Sequence, residues 1–444
     1  MNKVVVTGMG VVSPLGCELD TFWEACLDKQ CNIEAIPETW NNYSEYRSGI
    51  WTPLPPIDFR EEGFSRVEVM QRDPVSLISV MAAKQALEHA GIEITPNPDR
   101  KRQFMLGGVE SETAGIFIGT GIGGASTFLD NHACQMLKRT SEYLDEADVK
   151  PELVDRLLYP PKINPFVVSM LIPNAISAAV GIKYSLHGIN KVVSQACSSG
   201  TSAIGYAYQA IKSGEIDFAI CGGAEYLYDE YGGIYQGFDI ARTLASPGDD
   251  MDQANRPFDK DRSGFLYSQG GAGVLILESE ARAQKREAKI LSYISGFSET
   301  FDAYSMMSLN PDGKEIKRMM RQAIAGAGLQ LTDIDYINTH GTGTQLNDEV
   351  ESMVIDELFG NSPIVNASKS LLGHGIGASG AYEAIISVLS LYNQTTHPCR
   401  NLENPIRDLN FVTSVKEQKI NHVLSESFAF GGHNSALVLS GYDK

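Results

Sequence analysis

The chain has 444 residues, 43% of them hydrophobic, enough to bury a large core and long enough for two or three domains or one large duplicated unit. A net charge of −19 argues against a nucleic-acid ligand, whose phosphates are met with clustered Lys and Arg, although an acidic partner could still dock on a local basic patch. Seven scattered cysteines (17, 26, 31, 134, 197, 221, 399) without a CxxC pair suggest neither a disulfide framework nor a zinc site, and no apolar run reaches the roughly 18 residues that cross a bilayer, so a cytoplasmic protein is expected.

In chain order, "KVVVTGMGVV" (3–12) reads as a strand and Leu19 to Leu27 as a helix, with a loop-like stretch over 32–66. "GIFIGTGIGG" (115–124) is a second strand entering a Gly-rich turn. "NKVVSQACSSG" (190–200) leads a strand into the helical "TSAIGYAYQAIKSG" (201–214), and "DFAICGGAE" (217–225) and "AGVLILES" (272–279) follow as strands, with a Pro- and Asp-rich loop over 243–262 between them. From about Ala288 the theme repeats: strand "AKILSYISGFS", helix "KEIKRMMRQAIAGAGL", strands ending in "INTHGTGT" and "PIVNASKSLLGH", helix "GAYEAIISVLSLY", and the final strand pair "HVLSESFAFGGHNSALVLS". The alternation predicts two α/β units, 1–287 and 288–444, built on a largely parallel, covered sheet.

Cys197 sits where a strand turns into a helix, among Ser198, Ser199, Gly200 and Thr201, which are small enough to leave it reachable. A helix N-terminus lowers a thiol's pKa, and such a turn presents a nucleophile; the same residue also reads as a small side chain closing a turn. His340 ends one strand before alternating Gly and Thr. Lys369 and His374 precede a Gly-rich helix start, where backbone can approach a ligand closely.

The motifs "ACSSG" (196–200), "HGTGT" (340–344), KS-x-x-GH (369–374) and "FGGHNSALV" (430–438), with "GGAE" (222–225) and "RPFDKDRSGF" (256–265), resemble in order and spacing the β-ketoacyl-[acyl carrier protein] synthases of the elongating, synthase II-like type, over essentially the whole chain. The resemblance implies a thiolase-like fold, two similar α/β halves stacked as five αβαβα layers, the first carrying the cysteine and the second the histidines and lysine. It implies a decarboxylative condensation of an acyl thioester on Cys197 with malonyl-acyl carrier protein, in fatty acid or in polyene or polyketide synthesis. It further implies no metal or organic cofactor, since the substrates carry their own phosphopantetheine, an acidic acyl carrier protein as partner, and a homodimer, with a heterodimer as an alternative. Cys197 matches the nucleophile, and the N–H groups of Cys197 and Phe430 the oxyanion hole. His340 and His374 match the pair that stabilises the enolate, Lys369 the lysine supporting the second histidine electrostatically, and Glu383 an acidic residue near that lysine. Thr342 and Thr344 match residues binding the pantetheine arm; Phe428 and Phe430 belong to the "FAFGG" loop that closes over the acylated cysteine, and His433 reads as structural.

Some positions depart from that pattern. Ala429 stands where glycine usually precedes the closing Phe. Phe128 stands where a smaller aliphatic residue is common, so it is expected to shorten or reshape the far end of the acyl pocket, near the dimer interface. Of the basic residues that hold the carrier protein, Lys162 is kept, Val67, Met70, Gln71 and Pro247 replace others, and Arg66 and Arg72 are candidates to compensate. Two other readings compete: a biosynthetic thiolase, which would need a second cysteine near the C-terminus, where none follows Phe411, or a stand-alone polyketide ketosynthase, and a non-catalytic partner subunit, which would typically lack the nucleophilic cysteine that Cys197 supplies.

Overall fold

A computed structural model of the chain describes residues 1–248 and 250–442. Its main sheet has ten strands: β1 (Val4–Val12), β2 (Ala114–Gly119), β3 (Asn190–Val193), β4 (Phe218–Tyr226), β5 (Gly270–Ser279), β6 (Ser292–Phe301), β7 (Tyr336–Asn338), β8 (Ile364–Asn366), β9 (His422–Ala429) and β10 (His433–Gly441). Across the sheet they lie β8-β7-β9-β10-β6-β1-β5-β4-β2-β3. Divided where β6 meets β1, the sheet falls into two five-stranded halves with one topology. In each, the third, second and fourth strands to enter are parallel, and the fifth and first are added antiparallel. Even the irregularities match: β1 slips register between Val6 and Gly8, β6 between Ile294 and Gly296. A Cβ on Gly8 would stand 2.2 Å from the Ala86 carbonyl oxygen and one on Gly296 2.3 Å from that of Ala323, so both bulges seat a helix directly against the strand backbone.

The largely parallel sheet expected from the apolar runs is corrected, because only the β3-β2-β4 and β8-β7-β9 triplets are parallel. Apolar runs report burial on both faces, and here antiparallel strands are covered on both faces too. Alternate residues of one strand feed different cores. Ile116 and Ile118 point outward into the core that α1 (Pro74–His89) also fills, while Phe117 points to the centre; Leu424 packs outward and Val423 inward. Three apolar cores, the central one enclosing both faces of the middle helices, thus hold five layers together. Outside the first half-sheet lie α1 and α3 (Asn174–Lys183), the latter following α2 (Ala125–Thr140) in the chain. Between the half-sheets lie α4 (Ser199–Ser213) and α7 (Ser379–Asn393), and outside the second lie α5 (Lys314–Gly326) and α6 (Gln345–Phe359). Asp73 caps α1 by accepting the Val75 N–H at 2.9 Å ahead of Pro74, and Gly214, at φ 82°, ends α4.

The two central helices are counterparts. Each follows the third strand of its half, and each starts after a short 3₁₀ turn, Ala196–Ser198 or Ile376–Ala378. The first residue of each turn is left-handed, Ala196 at φ 46° and Ile376 at φ 47°. They cross at glycines: a Cβ on Gly200 would stand 2.9 Å from the Gly377 carbonyl oxygen, and one on Gly380 2.1 Å from Thr201 Oγ1. Backbone therefore meets backbone at the middle of the molecule, and the N-termini of both helices converge beside Cys197.

Candidate active site

The left-handed Ala196 costs on the order of 1–3 kcal/mol, and surrounding bonds hold it. Ser199 Oγ accepts the Gln195 N–H at 2.8 Å and donates to the Ala196 carbonyl at 2.7 Å. Glu225, the acid of "GGAE", is fully buried and accepts N–H groups of Gly121 at 2.6 Å, Ile122 at 3.2 Å and Gly377 at 3.0 Å, so one carboxylate ties the Gly-rich turn after β2 to the start of the second central helix. The result is a Cys197 buried at the head of α4, with its sulfur 3.0 Å from His374 Nε2. Burial pushes the Cys197 thiol up to about 12, outweighing the nearby Lys369 charge and the backbone N–H groups of Phe430 and Cys197 itself, which pull it down. The expectation of a thiol acidified by a helix start is corrected: the resting form is the protonated thiol, and His374 is the adjacent base.

His340 and His374 are both buried, their rings edge to face with centroids 5.4 Å apart. Burial, then the Lys369 charge, drives both far below the usual histidine range, so both are neutral imidazoles near pH 7. Lys369 Nζ stands 3.1 Å from His340 Nδ1, donates to the His340 carbonyl at 2.6 Å, and forms an ion pair with Glu383. An ammonium has only protons to give, so Nδ1 is the acceptor and the His340 proton sits on Nε2. The lysine thus bonds to the first histidine and acts on the second through its charge. His374 Nδ1 instead meets Ser379 Oγ at 3.1 Å, and Ser379 Oγ also accepts the Gly375 N–H at 3.0 Å. That hydroxyl can donate to Nδ1 or accept from it, so a proton can sit on either side of the Cys197–His374 contact without stranding a buried group.

These side chains open onto a cavity of about 200 Å³ lined by Cys197, His340, His374, Thr342, Thr344, Phe428 and Phe430, together with Arg242, Phe265 and the 307–309 segment. Thr342 Oγ1 and Thr344 Oγ1 lie 2.9 Å apart, and the buried Phe428 ring stands 5.5 Å from that of His340. Sγ and one ring nitrogen of each histidine lie within 4.8 Å of one another. Three donors so close suit a soft metal as well as proton traffic; the Lys369 ammonium opposes a cation there and favours the latter.

Other expected positions stand elsewhere. Glu383 is fully buried behind Lys369 and does not line the cavity, so it is not placed to bind substrate. Phe128 is on α2, 44% exposed, stacked on His132 with centroids 5.9 Å apart, and outside the cavity wall. Cys197 packs instead in an aromatic cluster with Trp40, Trp51, Tyr235, Phe265 and Tyr267. Lys162 and Arg66 are exposed, but the Arg72 side chain is only 17% exposed and faces Glu68 at 3.5 Å, which leaves it little freedom to compensate for lost docking residues. His433 begins β10 with its ring 5.2 Å from that of Phe301, away from the cavity. The sequence reading missed Ser379, Glu351 and Glu426. Glu351 accepts the N–H groups of His340 at 2.6 Å and Gly341 at 2.8 Å, a role that its spacing of eleven residues from His340, one α-helix away, did not advertise.

Known proteins match over this whole architecture. The β-ketoacyl synthase N-terminal domain matches residues 1–283 and the C-terminal domain residues 291–403. A 3-oxoacyl-[acyl-carrier-protein] synthase 2 of Coxiella burnetii is 34% identical, with 99% of this chain and 98% of that protein covered. A β-ketoacyl synthase from Burkholderia phymatum and the ishigamide ketosynthase/chain length factor are each 26% identical in structures covering all of both chains, with TM-scores of 0.83. With the paired half-sheets, the crossed central helices and the Cys-His-His cluster at their meeting point, these matches make the chain a member of the β-ketoacyl synthase family.

Proposed function

We propose that the protein lengthens an acyl chain by two carbons, condensing an acyl group held on Cys197 with malonyl-acyl carrier protein. The observation that carries this reading is the buried thiol 3.0 Å from a neutral His374, with a second neutral imidazole beside it whose Nε2–H is free to point into the cavity. In the first half-reaction, Cys197 loses its proton to His374 Nε2 as sulfur attacks the thioester. The departing carrier thiolate takes that proton, and the acyl–sulfur bond moves to Cys197. The N–H groups of Cys197 and Phe430, which already point at the sulfur, would hold the tetrahedral oxyanion.

In the second half-reaction the malonyl carboxylate leaves as CO2, and its electron pair becomes an enolate. That enolate attacks the acyl carbon and releases the Cys197 thiolate, which recovers one proton from solvent. Neutral Nε2–H groups on His340 and His374 would stabilise the enolate oxygen; for His374 this requires the Ser379 hydroxyl to donate to Nδ1. Thr342 and Thr344 would bond the pantetheine arm along the cavity wall, and Phe430 would cover the acylated thiol. No resident metal or organic cofactor enters these steps. Phe265, which lines the cavity and packs in the aromatic cluster beside Cys197, would bound the acyl chain within one protomer.

Exposed Lys162 and Arg66 are the basic groups offered to an acidic carrier protein. Seven free thiols fit a reducing cytoplasm; among the described residues, no helix is long and apolar enough to cross a membrane. Among the described residues the edge strand β3 pairs only with β2 and leaves its outer backbone edge open beside exposed Asn190 and Lys191, so a second copy pairing there would give a dimer. Light scattering at micromolar concentration should return twice the chain mass, and a monomer would remove this assembly.

Intact-mass measurement after incubation with acyl-carrier proteins of graded chain length tests the central reading. An acyl adduct on Cys197 should form and disappear when malonyl-carrier protein is added, with CO2 released and the product carrying two more carbons. A chain that takes no acyl group from any donor would instead be a non-catalytic partner subunit.

A further inference from the structure

Behind His340 lies a set of buried acids larger than its one cation can balance. Glu351, Glu383 and Glu426 are all fully buried around Lys369, whose ammonium is already bonded to Glu383 and to His340. Asp348, also buried beside Glu351, faces its own cation, Arg262 Nε, at 3.6 Å. The oxygens of Glu351 have three N–H donors: His340 at 2.6 Å on one oxygen, Gly341 at 2.8 Å and the Asn347 side chain at 3.0 Å on the other. Glu426, on β9, has none on either oxygen, and its side chain meets that of Glu351. Two facing carboxylates, one of them without a single donor, leave an uncompensated buried charge of the kind that a proton removes.

We propose that Glu426 is a protonated carboxylic acid that donates its hydrogen bond to Glu351 and so serves as a positioning residue for His340. A proton between the two acids gives Glu426 its missing partner and leaves Glu351 a carboxylate, free to accept the N–H groups of His340 and Gly341. It also reduces the charge of the three glutamates and Lys369 from −2 to −1. Burial first, then the charges of Glu351 and Glu383 against the smaller opposing effect of Lys369, push the Glu426 carboxyl far above the usual carboxylate range. The pair shares one proton, and the donors around Glu351 assign it to Glu426. The imidazole is thus aimed from behind twice, through Lys369 on Nδ1 and through Glu426 and Glu351 on its backbone.

The consequence for turnover rests on the role proposed for His340, so the deciding measurement is independent of activity. The infrared difference spectrum of wild type minus Glu426→Gln, at neutral pH, should show a protonated-carboxyl C=O band that shifts in D2O. Absence of that band overturns the proposal even if the enzyme is fully active, whereas its presence beside a failure of malonyl decarboxylation would fault the role of His340 and not the proton. Glu426→Gln keeps an N–H donor toward Glu351 and should hold decarboxylation within a few-fold of wild type. Glu426→Ala removes the donor and should lower decarboxylation roughly tenfold or more, with acylation of Cys197 nearly unchanged. Equal damage from Gln and Ala, or an activity of wild type that requires potassium or sodium and is lost with Gln, would mean that the two acids hold a metal cation in place of the proton. Should Glu426→Ala not accumulate folded, the infrared comparison decides alone.

Discussion

Cys197→Ala protein should take up no acyl group from any acyl-carrier donor, a loss of at least about 10⁴-fold and limited only by detection. Its fold should survive, because the change removes one sulfur from a packed site, worth about 1 kcal/mol. The reason for so large an effect is that nothing else near the cavity can form the thioester. Among the described residues the cavity wall carries no second cysteine, and its hydroxyls, on Thr243, Ser308, Thr342 and Thr344, cannot form a thioester. Intact mass with and without hydroxylamine treatment reads the outcome, and circular dichroism reads the fold. Acyl label retained by folded Cys197→Ala protein would show that the nucleophile is another residue.

The two histidines should separate when each is replaced by alanine. His340 Nε2 faces the cavity and Nδ1 is held by Lys369, with no bond to Cys197. His340→Ala should therefore acylate Cys197 at nearly the normal rate while malonyl decarboxylation falls by roughly 3 kcal/mol, about a hundredfold or more. His374→Ala should lose both activities. With the thiol pushed up to about 12, almost no thiolate exists at pH 7 without the base 3.0 Å away. Raising the pH should restore acylation in His374→Ala and leave decarboxylation depressed, since hydroxide replaces a missing base but not a missing donor. Because burial holds both imidazoles neutral far below their usual range, the wild-type rate should stay flat as pH falls through 6.5. Single-turnover acylation and CO2 release, measured separately across pH, check all three statements; matching losses in the two variants would show that the histidines share one role.

Much of the site was legible because its chemistry is written in contiguous stretches. Cys197 with its small neighbours, the Gly–Thr run after His340, and Lys369 five residues before His374 each mark a strand end that turns toward a helix. The fold's duplication was legible for the same reason, as strand and helix patterns recur on either side of Ala288. What escaped was every contact between distant segments. Glu351 reads as one more helix acid, and Glu426 as a polar break in a strand, until β9 and α6 are brought together. Phe128, expected at the far end of the acyl pocket near the dimer interface, lies on α2, 44% exposed and outside the wall of the cavity within one protomer. Arg72, a candidate docking residue by its place in the sequence, lies against Glu68.

The sequence by itself determined which residues carry chemistry and which segments are strands or helices, because local patterning of apolar, small and turn-forming residues sets backbone conformation over one element at a time. Only the tertiary structure decided how those residues behave. The protonation of Cys197, the tautomer of His340, the partner of Lys369 and the proton shared by Glu351 and Glu426 all depend on desolvation and on distances between groups up to 177 residues apart, as for His374 and Cys197. Electrostatic effects grow as water is excluded and are set by ångström separations, which a linear order of residues does not contain.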